Sequence, residues 1–110
     1  MNLHVLLSVE AKAKGVIGRD SLMDDEAFLF EDTRDGAGFH MRGVPFDIDI
    51  AFLDKEYGVL AVTRMASRTG TATAPEGCAI AVEAAPGFFD RQGVKVGDIW
   101  TALANKYGGR

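Results

Sequence analysis

The chain has 110 residues, 47% of them hydrophobic and 25% charged, with a net charge of −4. That is the length of one domain with enough apolar residues for a core, and it excludes intrinsic disorder, which needs low hydrophobicity and high net charge. The sequence pI is near 5.0, and the longest basic cluster is only Lys12, Lys14 and Arg19, which excludes a phosphate-tracking nucleic-acid groove and an anionic membrane surface as expected partners.

Leu3 to Val9 is a short apolar run and reads as a strand. The opening MNLHVLLSVEAKAK carries no charge ahead of its apolar residues, so no signal peptide is expected. No stretch reaches the roughly 18 apolar residues of a membrane span. A single cysteine, Cys78, rules out an intrachain disulfide, and the expected location is cytoplasmic. Ala11 to Arg19 is rich in Ala and Lys and predicts a short helix, weakened by Gly15 and Gly18. Asp20 to Glu26 is an acidic connection, Ala27 to Phe30 a strongly apolar strand, and Glu31 to Gly36 a polar turn.

Phe39 to Met41 predicts a short strand before the break at Gly43–Val44–Pro45. In Phe46 to Leu53, the residues Phe46, Ile48, Ile50 and Phe52 share one face at period two, and Asp47, Asp49, Ala51 and Leu53 the other. The polar run Asp54 to Gly58 predicts a hairpin loop, and Val59 to Met65 the returning strand. Ala66 to Gly77 is a Thr-rich loop, Cys78 to Ala84 another strand, and Pro86 to Arg91 one helical turn. A last strand is expected over Ile99 to Leu103, with Lys106 to Arg110 as a frayed tail. The expected fold is mainly β: one domain over 1–110, a sandwich or flattened barrel of about seven short strands with one or two short helices, not alternating βαβ units.

The segments Gly15–Val16–Ile17–Gly18–Arg19, Ala27–Phe28–Leu29–Phe30, Phe39–His40–Met41, Asp49–Ile50–Ala51–Phe52–Leu53–Asp54, Val82–Glu83 with Gly87, and Gly97–Asp98 follow one another in order. Together they resemble the bacterial and archaeal family known as domain of unknown function 192, over nearly the whole chain up to Trp100. The chain departs from the family pattern at Val16–Ile17, where Leu-Met is usual, at Ala27–Phe28, where Gly-Met is usual, and at His40, where Trp is common. The resemblance implies a compact β-sandwich-like fold and no established activity.

Four residues are candidates for a ligand site: Arg19, His40, Asp49 and Glu83. His40, between Phe39 and Met41, offers an imidazole for acid–base work or simply a polar residue on an outer strand face. Asp47 and Asp49, on one face of a strand, place their Cβ atoms about 7 Å apart, within the roughly 6.5–9.5 Å carboxylate separation of inverting glycosidases. A solvated acidic face gives the same spacing. Glu83 lies among Ala79, Ala81 and Ala85, small neighbours that leave room for either a basic partner or a pocket. Burying its carboxylate without compensation costs several kcal/mol, so a bidentate arginine is expected beside it, Arg19 ahead of Arg42 and Arg64.

No metal or other cofactor is expected: two histidines and one cysteine form no zinc pattern, and the acidic residues between Asp20 and Asp35 lack calcium-loop spacing. Cys78 is expected to be a buried, inert thiol. Three functions stay open. The first is a non-catalytic accessory module binding a small ligand or a protein partner. The second is a small hydrolase or lyase using His40 with Glu83 or Asp49. The third is a purely structural homodimer that pairs exposed strand edges.

Overall fold

The computed structural model describes residues 1–108, except for the side chain of Val9. Among these residues the chain forms seven strands in two sheets with little helix: β1 (Asn2–Leu6), α1 (Val9–Lys14), β2 (Glu26–Glu31), β3 (Gly38–His40), β4 (Ile48–Leu53), β5 (Val59–Met65), β6 (Thr71–Thr73), β7 (Ile80–Ala84), α2 (Phe88–Arg91) and α3 (Thr101–Leu103), which runs into a π-helical turn over Ala104–Gly108. The mainly-β expectation holds. The barrel alternative does not, because the sheets are not closed on each other. One is a five-stranded sheet in the order β1-β2-β7-β4-β5, and the other is the two-stranded ribbon β3-β6.

Several local expectations need correction. The first two strands lie parallel, joined by α1, so the chain opens with a βαβ unit despite its β-rich composition. The helix starts earlier than expected, with the Ser8 side chain accepting the Ala11 N–H at 2.9 Å, and it ends at Lys14. Gly15 closes it with φ 49°, and a Cβ there would press on the Phe30 ring at 3.3 Å, so both conformation and space call for glycine. The Thr-rich loop holds a strand, Thr71–Thr73, which pairs with β3 in the register Gly38↔Thr73 to His40↔Thr71. Ile99 to Leu103 is not a strand: Ile99 makes one bridge to Gly58, and the chain then turns helical. Of the expected frayed tail, Tyr107 is half-buried against the core and 109–110 lie outside the described residues.

The hairpin β4–β5 is as expected. Asp54 Oδ1 accepts the N–H groups of Glu56 and Gly58, both at 2.9 Å, which fixes the turn. The face reading of β4 was right in parity and wrong about water. Ile48, Ile50 and Phe52 pack with Phe28, Phe30 and Ala81 beneath the ribbon residues Phe39 and Ala72. Ala51 and Leu53 pack with Leu29, Val82 and Ala84 beneath Phe88, Phe89, Trp100 and Leu103. The aromatic cap on this second face is edge-to-face throughout, with Phe88, Phe89 and Trp100 centroids 5.2–6.2 Å apart. A strand buried on both faces cannot carry a solvated acidic side, so Asp49 is buried (8% exposed), and only Asp47 remains at the surface.

This arrangement sets an expectation. Ile50→Ala and Leu53→Ala each remove a wholly buried side chain, one per face, and each should cost about 2–5 kcal/mol in denaturant-induced unfolding. A midpoint unchanged by Leu53→Ala would mean that the second face is not covered as described.

Candidate functional site

The central strand of the larger sheet is β7, and it is built from small residues, Ile80–Ala–Val–Glu–Ala84. Glu83 is its fourth residue, opposite Phe28 on β2 and Ile50 on β4. It is 5% exposed. Among the described residues no hydrogen-bond donor and no cation reaches its carboxyl group. Desolvation alone acts on it, and its pKa is pushed up to about 7.

Glu83 lines a cleft of about 430 Å³ between the sheet, α1 and the ribbon. The walls are apolar: Val16 and Ile17 follow α1, Phe30 and Ile48 come from the sheet side, and Phe39, Met41 and Val44 come from the ribbon side. The rim carries Lys12 and Lys14 from α1, Glu31 and Asp32 at the end of β2, and His40 from β3. Lys14 and His40 are exposed, so the cleft reaches solvent. Glu31 is held by the Tyr107 hydroxyl, which donates to its carboxylate from the far end of the chain.

The four candidates separate. Glu83 and His40 line one cleft, but they form no hydrogen bond. The His40 Nδ1 accepts the Arg42 backbone N–H at 3.3 Å instead. Asp49 lies on the opposite sheet face. Its Oδ1 accepts from Arg64 Nε at 2.8 Å, and its Oδ2 accepts from Arg64 Nη2 at 3.2 Å and from the Gly87 N–H at 2.8 Å. Gly87 has φ 83°, the left-handed turn that aims this N–H at the carboxylate. The bidentate contact raises the Arg64 pKa. Asp49 is therefore fully engaged, and neither carboxylate forms the expected pair with His40.

The arginine expected beside Glu83 is also elsewhere. Arg19 Nη1 reaches Glu26 at 3.2 Å, and its guanidinium sits 4.7 Å above the Phe28 ring. Glu26, 4% exposed, also accepts the Met23 N–H at 2.9 Å and contacts His4 Nε2 at 2.9 Å. The Met23 N–H first, then His4 and Arg19, hold the Glu26 carboxyl below its ordinary pKa against the opposing effect of burial. His4 stacks on Phe28 at 4.6 Å. Sequence reasoning passed over this cluster because Glu26 closes an acidic loop; the signal it missed was that Glu26 directly abuts the apolar run Ala27–Phe30. Cys78 is a buried free thiol whose pKa burial pushes up, as expected for an inert one. Among the described residues no group of three or more His, Cys, Asp or Glu gathers to hold a metal ion, and no helix is long and apolar enough to cross a membrane.

The family model for domain of unknown function 192, described as an uncharacterised ACR, matches residues 1–101, and the chain belongs to that family. Two solved structures are similar. A protein of unknown function from Novosphingobium aromaticivorans shares 25% identity and a TM-score of 0.75, over 88% of this chain and 71% of that one. A protein named as a "putative transcription regulator" from Sinorhizobium meliloti shares 17% identity and a TM-score of 0.76, over 88% of this chain and 78% of that one, a likeness of fold alone. No curated protein matches the chain significantly.

The two buried glutamates predict opposite pH limbs. Glu83 has a folded pKa of about 7 against an ordinary 4.5. Between these values the folded chain holds a proton that the unfolded chain has released, so stability falls as pH rises through that window and is flat above it. The loss is on the order of 3 kcal/mol. Glu26 is shifted down, so its contribution is present above the ordinary carboxylate value and is lost as pH falls below it. Unfolding free energy should therefore be larger at pH 5.5 than at pH 8, and Glu83→Gln should remove the difference. Equal stability of the parent chain at the two pH values would contradict the desolvated state of Glu83.

Proposed function

For a member of a family without an established activity the cleft itself is the guide, and we propose that this chain is a non-catalytic binding protein for a small, largely apolar molecule whose polar end meets Glu83. The observation that carries the reading is the buried carboxyl of Glu83, without a partner among the described residues, at an apolar cleft of about 430 Å³. The volume is that of a small-molecule site, and the composition, mostly apolar with a few polar groups, is what such sites share. An unpaired acid in a central strand lowers stability. A chain that serves only as a structural dimer gains nothing from it, whereas a binding site does. The hydrolase or lyase reading draws no support from the geometry, because its nucleophile or base would have to be His40 or a carboxylate acting on it, and among the described residues His40 makes no hydrogen bond to either Glu83 or Asp49, its Nδ1 accepting the Arg42 backbone N–H instead. A cytoplasmic setting goes with this reading, supported by the free thiol of Cys78.

N-phenyl-1-naphthylamine, a neutral fluorophore that brightens in apolar surroundings, is expected to titrate into the cleft at one saturable site. Ile17→Trp, which fills the cleft from a half-buried wall position, should weaken that binding at least tenfold while leaving the fold intact by circular dichroism. No saturable enhancement, or enhancement indifferent to Ile17→Trp, would overturn the proposal.

A further inference from the structure

We infer that the cleft selects a primary ammonium group carried on an aryl or alkyl body, with the ammonium seated on the Glu83 carboxylate and the body packed against Phe30 and Phe39. The inference rests on the binding reading above and adds the chemical class of the ligand.

An ionised carboxylate only accepts hydrogen bonds. Among the described residues none donates to Glu83, although the other two buried acids of the sheet, Glu26 and Asp49, each have an arginine and a backbone N–H. Arg19 and Arg64 are committed to those two sites. No described residue supplies what Glu83 lacks, and a ligand's ammonium supplies both three donors and the opposite charge. An alcohol supplies one donor and no charge. A carboxylate or phosphate head would meet a like charge at the buried end of the cleft.

The walls agree with a cation. The rings of Phe30 and Phe39, edge-to-face with centroids 5.3 Å apart, both line the cleft. Aromatic faces attract ammonium groups, more strongly where water is excluded. The ionisable groups around Glu83 are Lys12 and Lys14 on α1, Glu31 and Asp32 at the end of β2, and His40 on β3. The rim is mixed in sign, with two lysines, Asp32 and Glu31, whose carboxylate is held by Tyr107, so it does not present a uniformly basic mouth. Selection then falls to the single group inside, Glu83. On the neighbouring strands, Asp49 faces the other side of the sheet and is paired with Arg64, and Glu26, two positions before Phe28 on Glu83's own face, is paired with Arg19 and His4.

Calorimetric titration of the intact chain with 4-phenylbutylamine, 4-phenylbutanol and 4-phenylbutyrate tests this directly. At pH 8 the amine should bind at least tenfold more tightly than either analogue. Its affinity should fall about tenfold from pH 8 to pH 6, because only the ionised fraction of a carboxyl titrating near 7 is competent to pair with it. The amine itself stays protonated across that range. Glu83→Gln should abolish both the amine preference and the pH dependence while retaining N-phenyl-1-naphthylamine binding. His40→Asn should leave the pH dependence in place, which separates the role of Glu83 from that of the histidine at the rim. Equal binding of amine and alcohol, preference for the butyrate, or an amine affinity unchanged in Glu83→Gln would overturn the ammonium inference while a working fluorophore titration leaves the cleft reading standing. Absence of fluorophore binding would instead strike the cleft reading itself.

Discussion

The sheet of this protein is organised around three buried acids, and the differences among them come from what surrounds each one. Glu26 opens β2 and is met by the Met23 N–H, His4 and Arg19. Asp49 lies on β4 and is met by Arg64 from the edge strand and by the Gly87 N–H at the start of α2. Glu83 lies between them in the central strand, with Phe28 and Ile50 as its cross-strand neighbours. Charge burial in a low-dielectric interior is tolerated when donors replace the lost water, and it is resolved by protonation when they do not. The first two acids follow the first route, and Glu83, with its pKa raised, follows the second.

That contrast also explains the position of the opening. A side chain in the middle of a sheet can be reached only from the layer above it, and over this face the layer is thin. The ribbon β3–β6 covers the end near Phe52 and Ala81 through Phe39, and α1 ends at Gly15 against Phe30. The gap between the two is the cleft. On the other face Phe88, Phe89 and Trp100 cover the sheet, and the acid on that side is paired within the chain.

The sequence shows most of this fold but only half of the site. The strand assignments for Ala27–Phe30, Ile48–Leu53 and Val59–Met65 follow from runs of apolar and β-branched residues, and the hairpin at Asp54–Gly58 follows from its polar turn. Thr71–Thr73 was invisible because a three-residue ribbon strand of Thr and Ala has no apolar face to declare it. Ile99–Leu103 looked like a strand because periodicity cannot separate a short apolar strand from one turn of helix. Asp49 was read as solvated because alternation shows which residues share a face but not whether a second layer covers it. That layer is supplied by residues after Pro86, far along the chain. Glu83 was visible as a polar interruption among alanines, but the partner assigned to it was not: Arg19 is drawn to Glu26, seven positions away and held beside it by the loop that brings β2 alongside β1.

The βαβ opening ties these points together. Placing β1 parallel to β2 requires a crossover, and the crossover delivers both the helix that forms one wall of the cleft and the loop that carries Arg19 back to Glu26. The same connection therefore builds the cleft and removes from it the arginine most able to neutralise Glu83. Had β1 and β2 been joined by a tight antiparallel hairpin, there would be no α1 over this face and no reason for Arg19 to lie on Phe28. Phe28 itself is shared: Arg19 and His4 lie on its ring, while its backbone pairs with that of Glu83 in the sheet. Any shift of the crossover would move a cation toward or away from the buried acid. The short, capped α1, fixed by Ser8 at one end and Gly15 at the other, holds the crossover in the register that keeps Arg19 on Glu26 and away from Glu83.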